Sequence, residues 1–232
     1  GSTIGDCLSS IAEQDNVNAE HIIVDGGSQD NTGDVVKASH HLSRFISEPD
    51  RGIYDAMNKG LHLANGGIVG ILNADDFYAH EKVLVNVLKV FEDSSVNACY
   101  GDLQYIDYDN TDKVVRHWRS GEYNSPKQFY WGWMPPHPTL FLRRSVIEEW
   151  GGFDTSYQIA ADYGAMLRSL ARGRIRLAYI PDVLVKMRVG GESNRSLARI
   201  VRKSQEDYRA LRVNGVGGVG ALIWKNLSKV GQ

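Results

Sequence analysis

Short apolar runs alternate with amphipathic stretches through the first hundred residues, and this alternation predicts the elements. Ile4, Leu8 and Ile11 recur at i, i+4 and i+7 within residues 3–14, the spacing of one helical face, and Thr3-x-x-Asp6 has the form of a capping box. Residues 20–25 predict a short buried strand that ends in Asp25-Gly26-Gly27-Ser28, and Asp30-Asn31-Thr32 supplies cap residues for a helix reaching about His40. A second strand over 43–47 leads through Glu48-Pro49-Asp50-Arg51-Gly52 into a helix from Ile53 to Ala64, closed by Asn65-Gly66-Gly67. The apolar run Ile68-Val69-Gly70-Ile71-Leu72 reads as a third strand. Strands that alternate with helices through short connections predict an α/β fold with a mostly parallel central sheet flanked by helices.

Further along, Val83, Val87, Val90 and Phe91 mark the inner face of a helix over 80–92. A strand is expected over 98–101 and a hairpin from 103–108 and 113–118. Residues 119–139, rich in Gly, Pro, Trp and Tyr, predict a structured loop. A strand over 139–142, helices over 145–150 and 161–172, and two closing strands over 175–180 and 183–189 complete the pattern. From Arg195 onward it is helical, interrupted by the Gly-rich stretch 215–220. The division that follows is a main domain over 1–194 and a helical extension over 195–232.

The third strand ends in Asn73-Ala74-Asp75-Asp76. In an open α/β sheet, ligands bind at the carboxyl ends of strands. Two adjacent carboxylates repel unless something positive sits beside them, and a magnesium-type cation is commonly held by one or two carboxylates plus substrate phosphates. Capping of the next helix is the plainer use of the same residues. Asp25 and Asp50 also follow strands, so the acidic turns should converge on one sheet edge suited to a nucleotide. No G-x-G-x-x-G follows a predicted strand, as the dinucleotide-binding fingerprint requires, and no P-loop signature is present, which disfavours a nicotinamide cofactor and the commonest ATPase chemistry.

Three segments, Ile23-Val24-Asp25-Gly26-Gly27-Ser28, Glu48-Pro49-Asp50-Arg51-Gly52-Ile53-Tyr54-Asp55-Ala56-Met57-Asn58-Lys59-Gly60 and Leu72-Asn73-Ala74-Asp75-Asp76, occur in that order. Together with His137-Pro138-Thr139, Gly151-Gly152-Phe153-Asp154, Ala161-Asp162-Tyr163 and Arg188-Val189-Gly190-Gly191-Glu192-Ser193, they resemble family 2 glycosyltransferases of the bacterial surface-polysaccharide, colanic-acid-like type. The resemblance spans about residues 3–195. It implies a GT-A fold and an inverting transfer from a UDP-sugar or GDP-sugar to a glycan or lipid-linked saccharide. Asn73-Ala74-Asp75 occupies the family's Asp-x-Asp position, leaving Asp75, with Asp76, as ligands of manganese or magnesium.

By the same carry-over, Asp25, Ser28, Asp50, Asn58, Lys59, Asn73 and Arg188 are expected around the donor nucleotide, and Arg188 and Ser193 in a loop over the diphosphate. Asp162 matches the catalytic base that an acceptor hydroxyl needs as it attacks the anomeric carbon. Its position at a helix start also suits simple interaction with the helix dipole. His137 and Trp133 are candidates for the acceptor side, although a packed aromatic loop accounts for them equally. The family normally opens with a strand before the helix at Thr3, so the sequence is expected to begin inside the domain.

Charge changes the picture at the far end. The net charge is −2, but residues 186–232 carry ten Lys/Arg against three acids, which leaves −9 on the remainder. A basic tail with Val219, Ile223, Leu227 and Val230 on one helical face and Lys225 and Lys229 on the other suggests contact with a membrane surface, packing on the core being the alternative. No run approaches the roughly 18 apolar residues of a membrane-spanning helix. Cys7 and Cys99 have no metal-ligand spacing and are expected as reduced, buried thiols. A cytoplasmic protein, peripheral on the inner membrane face and without a nucleic-acid partner, is the expectation. Rival readings are a nucleotidyltransferase making sugar nucleotides and a catalytically silent nucleotide-sugar-binding module; only an enzyme that deprotonates an acceptor needs Asp162.

Overall fold

A computed structural model describes residues 1–171, 175–190 and 197–228. Ser193, Lys229 and Val230 lie outside the described residues. The elements run in the order α1 (Ile4–Ala12), β1 (Ile22–Asp25), α2 (Thr32–Lys37), β2 (Arg44–Ser47), α3 (Ile53–Leu63), β3 (Ile68–Gly70), β4 (Phe77–Tyr78), α4 (Val83–Phe91), β5 (Ala98–Ile106) and β6 (Val114–Trp118). They continue with α5 (Lys127–Tyr130), a 3-10 turn (His137–Thr139), β7 (Phe141–Arg143), α6 (Arg144–Trp150), α7 (Ala161–Leu170), β8 (Leu177–Arg188), α8 (Leu197–Val213) and α9 (Val219–Ser228).

The expected α/β architecture, a central sheet flanked by helices with a C-terminal helical region, is present. Strand pairing is more antiparallel than the alternation implied. β1 and β2 pair in parallel as a sheet of their own, while the larger sheet has the order β3-β7-β5-β8-β4 with β6 added to β5. Among the described residues of that sheet only β5 and β8 run parallel; the β3/β7, β5/β7, β4/β8 and β5/β6 pairs are antiparallel. Alternation along a chain reports which elements follow one another, and here β3 pairs with β7, more than seventy residues on. The two closing strands are one, because the β5/β8 ladder shifts register around exposed Pro181 and absorbs it as an irregularity.

β5 is the keel. Successive side chains of a strand point to opposite faces: Ala98 and Tyr100 join one core with α6 and α7, whereas Cys99 joins the other, under α4 with Val83, Val87 and Phe91. Cys7 and Cys99 are free and buried, and burial pushes both thiols up to about 12, as inert core sulfhydryls. Thr3 makes no side-chain capping bond, and the Asp6 carboxylate pairs instead with Arg188.

The C-terminal helices share the core of α7: Ala210, Leu211, Val216 and Ala221 are buried in the same cluster as Tyr163 and Leu167. Of the two alternatives for α9, its Val219 and Ile223 face does not pack on the core; the face of Lys225 does. Lys225 is 1% exposed, against buried Asp207 of α8 and the ring of Tyr163, while Val219, Ile223 and Trp224 face outward. The close fit depends on Gly132, where φ is +74° and a Cβ would stand 2.4 Å from the Cα of Lys225. Among the described residues no helix is long and apolar enough to cross a membrane.

Candidate active site

Two short parallel strands set up the first part of the site. Asp25 and Ser47 are register partners at the ends of β1 and β2. The Asp25 carboxylate accepts from the Ser28 amide at 3.0 Å, the Ser28 hydroxyl at 2.6 Å and the Ser47 hydroxyl at 2.6 Å. Burial pushes the carboxyl up, but the bonds from Ser28, Ser47 and the Gly27 amide together hold it below its ordinary value. Gly26 lies over Asp50, and a Cβ there would come 2.5 Å from Asp50 Oδ2, so a side chain at 26 would push the Asp50 carboxylate aside. Lys59 Nζ stands 2.8 Å from Glu48 and 3.7 Å from Asp55, keeping its cation beside the Asp50 turn.

From this edge α3 reaches across to the second part. Tyr54 and Asn58 are four residues apart and therefore on one helical face. Asn58 donates to the Phe153 carbonyl at 2.9 Å and accepts from the Phe153 amide at 2.8 Å, so its amide clamps the Gly151-Gly152-Phe153 turn. The Tyr54 hydroxyl lies 2.6 Å from the Ile159 carbonyl and 3.1 Å from Asp162 Oδ1. Burial, then the charge of Asp162, raises the Tyr54 phenol, which stays protonated. Asp162, in the first turn of α7, lines a small cavity with His137, Leu61, Val69, Ile71 and Met166. Burial lowers the His137 imidazole, with the Asp162 carboxylate pulling the other way. Its ring meets Phe153 edge-on at 5.7 Å.

The wall formed by Val69 and Ile71 continues into the third part, the acidic turn after β3. Asn73 donates to Asp76 Oδ2 at 2.8 Å, and the Asp76 amide to the Asn73 carbonyl at 3.0 Å. Asp76 is 1% exposed, and its Oδ1 has no partner among the described residues. Burial, then the neighbouring Asp75, raises its carboxyl to about 7. Arg188, 4% exposed, donates to the Asp75 carbonyl at 2.7 Å, pairs with Asp6 and lies 5.1 Å over the Phe77 ring. Its guanidinium is thus tied to the acidic turn from beneath.

An orphaned carboxylate oxygen beside a second carboxylate suits a hard divalent cation. Among the described residues no group of three His, Cys, Asp or Glu is arranged around one point, so such a cation would complete its shell with substrate oxygens. Asp25 and Asp50 therefore meet in one cluster, Asp75, Asp76, Asn73 and Arg188 in another, and Asp162 and His137 in a third, α3 linking the first to the last.

The profile of Glycosyl transferase family 2 matches residues 1–151. The chain belongs to glycosyl transferase family 2. A "PGL/p-HBAD biosynthesis glycosyltransferase" of Mycobacterium bovis is 29% identical over 196 residues, covering 81% of this chain and 73% of that protein. An uncharacterized glycosyltransferase of Nostoc is 27% identical over 215 residues, covering 86% and 64%.

Among solved structures, S. aureus TarS in complex with UDP-GlcNAc superposes with a TM-score of 0.69 at 17% identity, over 93% of this chain and 62% of that one. A mannosyltransferase from Pyrobaculum calidifontis in complex with GDP-Man and Mn2+ gives 0.64 at 23% identity, over 91% and 59%. The chain thus spans less than two thirds of the length of these solved structures, and the likeness gives it the GT-A fold.

Within this glycosyltransferase the loop 119–139 is read differently once packed. Trp133 stacks on Tyr123 at 5.4 Å, meets Tyr100 and Phe129 edge-on and donates to the Ser120 carbonyl at 2.8 Å. Its ring is a core component, and the exposed indole of the segment is Trp131, 63% accessible. Tyr54, inside the Glu48–Gly60 segment, is a site residue that the sequence does not single out. Its i, i+4 spacing to Asn58 on α3 is the one sign of it in the sequence.

Proposed function

We propose that this glycosyltransferase moves a sugar, with inversion, from a nucleotide-diphosphate sugar to a hydroxyl of a glycan or lipid-linked saccharide in bacterial surface-polysaccharide biosynthesis. The observation that carries the reading is Asp162, held at Oδ1 by Tyr54 inside a cavity whose wall leads to the Asp75-Asp76 turn. Among the described residues nothing donates to Oδ2, which is therefore available to take the acceptor proton as the new glycosidic bond forms. Neutral His137 beside it can hydrogen-bond the acceptor. Asp25, Ser28, Asp50 and Lys59 form the edge for the nucleoside. Asn73, Asp75 and Asp76 would hold manganese or magnesium, and a bound cation supplies charge neutralisation of the leaving diphosphate. The solved neighbours with UDP-GlcNAc and with GDP-Man and Mn2+ support a sugar-nucleotide donor.

Thermal denaturation with UDP, GDP, CDP and dTDP, each with and without manganese, tests this. One nucleotide is expected to raise the midpoint only with manganese. At about 100 times its dissociation constant a ligand adds about 2.7 kcal/mol, roughly 5–10 °C for a chain of this size. The absence of a rise with every nucleotide would remove the donor site.

The same proposal includes a cytoplasmic, membrane-peripheral location. Trp131 and Trp224 meet edge-on at 5.9 Å, and Val219 and Ile223 continue the exposed apolar surface. Arg199, Arg202, Arg209 and Arg212 lie exposed along α8. The expected result is flotation with phosphatidylglycerol vesicles and not with phosphatidylcholine, weakened in a Trp131→Ala/Trp224→Ala variant. Equal recovery without vesicles would exclude the membrane contact.

A further inference from the structure

The loop that delivers Asp162 is gripped from two sides. Glu206 of α8 accepts hydrogen bonds from the amides of Gln158 at 3.0 Å, Ile159 at 2.8 Å and Ala160 at 2.9 Å. Three successive amides aimed at one carboxylate form the kind of concavity by which backbone holds an anion. It sits at the positive end of α7, which strengthens the hold. The rest of α8 follows suit. Arg202 bonds the Gln158 side chain, and Arg209 donates to Ser156 Oγ at 2.9 Å and lies 4.5 Å over the Tyr157 ring.

On the opposite side the Tyr54 hydroxyl engages the Ile159 carbonyl at 2.6 Å. The Ile159 residue is therefore fixed at both ends, its amide by Glu206 and its carbonyl by Tyr54. Two residues after Ala160 the chain presents Asp162, whose Oδ1 is 3.1 Å from the same hydroxyl.

We propose that Glu206 and Tyr54 are positioning residues for Asp162, so that α8 is part of the catalytic apparatus as well as of the core. The inference rests on the reading of Asp162 as base. A base must meet the acceptor hydroxyl within hydrogen-bond reach, and a misplacement of about 1 Å can cost about a hundredfold in rate. Glu206 is suited to set that position because it holds the backbone just ahead of the base through the amides of 158–160.

The test uses the full chain with Glu206→Ala, Glu206→Gln and Tyr54→Phe. It reads amide hydrogen exchange over residues 156–165 and the release of nucleoside diphosphate from UDP-GlcNAc or GDP-mannose with manganese. Glu206→Ala is expected to speed exchange at 158–160 and to lower kcat by about tenfold or more, with KM for the donor changed less than about twofold. Glu206→Gln keeps an acceptor oxygen and should recover part of kcat. Tyr54→Phe should lower kcat in the same sense, and the losses should combine less than additively with Glu206→Ala.

Val87→Ala, in the core on the other face of the sheet, serves as the comparison for stability loss alone and should keep kcat. Unchanged exchange in Glu206→Ala would overturn the grip. A fall in kcat no greater than that of Val87→Ala at equal midpoint loss would overturn the positioning role. Turnover of neither donor by the unaltered protein would overturn the transferase reading, and with it the catalytic half of the proposal, while the exchange result would still decide the grip.

Discussion

Asp162→Asn is expected to cut sugar transfer by about 10²–10⁴-fold, the usual contribution of a positioned general base, while nucleotide binding stays within about twofold of the unaltered protein. The substitution is close to isosteric. The amide oxygen can still accept from the Tyr54 hydroxyl that now lies 3.1 Å from Oδ1. Losing a negative charge from the first turn of α7 costs about 0.3–1 kcal/mol through the helix dipole, too little to unfold the domain. What disappears is an oxygen able to take the acceptor proton. The measurement is the initial rate of nucleoside diphosphate release beside the nucleotide-dependent shift in midpoint. A variant that keeps both would put the base elsewhere and leave Asp162 as a helix-start charge. A native protein that binds nucleotide and shows no turnover with or without Asp162 would be the silent binding module.

The experiment bears on a site whose parts were unequally visible in the sequence. Asp25 ends β1, and Asp50 and Asp75 follow β2 and β3 within a few residues; turns after strands are where ligands bind in such sheets, so period and turn chemistry alone make these three candidates. The helix that joins two of the clusters was equally plain from its pattern, since α3 runs over 53–63 where 53–64 was expected. Pairing partners were not visible. β3 against β7 is a long-range choice made by packing on the α6 and α7 side, and β4 is two residues long, too short for any period to register.

Side-chain direction was the other blind spot. Arg188 reads as an exposed phosphate ligand, yet Asp6 and the Asp75 carbonyl draw it beneath the acidic turn. Trp133 and Trp131 are two residues apart and equally aromatic; only the packing of Tyr100, Tyr123 and Phe129 decides which is inside. Glu206 looks like any surface acid of a basic helix, and nothing in its neighbours announces that three amides await it.

Lys225 is the sharpest case of that kind, and its removal carries the largest expected loss of stability. Its Nζ lies 2.8 Å from Asp207 Oδ1, with Lys203 3.2 Å from the other oxygen and the Tyr163 ring centre 3.2 Å from Nζ. Both Lys225 and Asp207 are about 1% exposed. Burial alone would raise the Asp207 carboxyl, but Lys225 and then Lys203 hold it below its ordinary value and so ionised. Lys225→Ala leaves that charge buried with only partly exposed Lys203 against it, a defect worth about 3–5 kcal/mol, or roughly 6–20 °C in midpoint for this size. A double Lys225→Met/Asp207→Leu variant removes both charges together and should return close to the native stability, since buried pairs often exchange for apolar ones at little cost. Urea denaturation of the two variants decides it, and a Lys225→Ala loss below about 1 kcal/mol would mean the pair is solvated as surface pairs are. Asp207 is the residue after Glu206, so the pair also fixes the register in which α8 faces the Asp162 loop. Lys225→Ala should therefore lower stability and turnover together, whereas Glu206→Ala should lower turnover well beyond what its loss of stability explains.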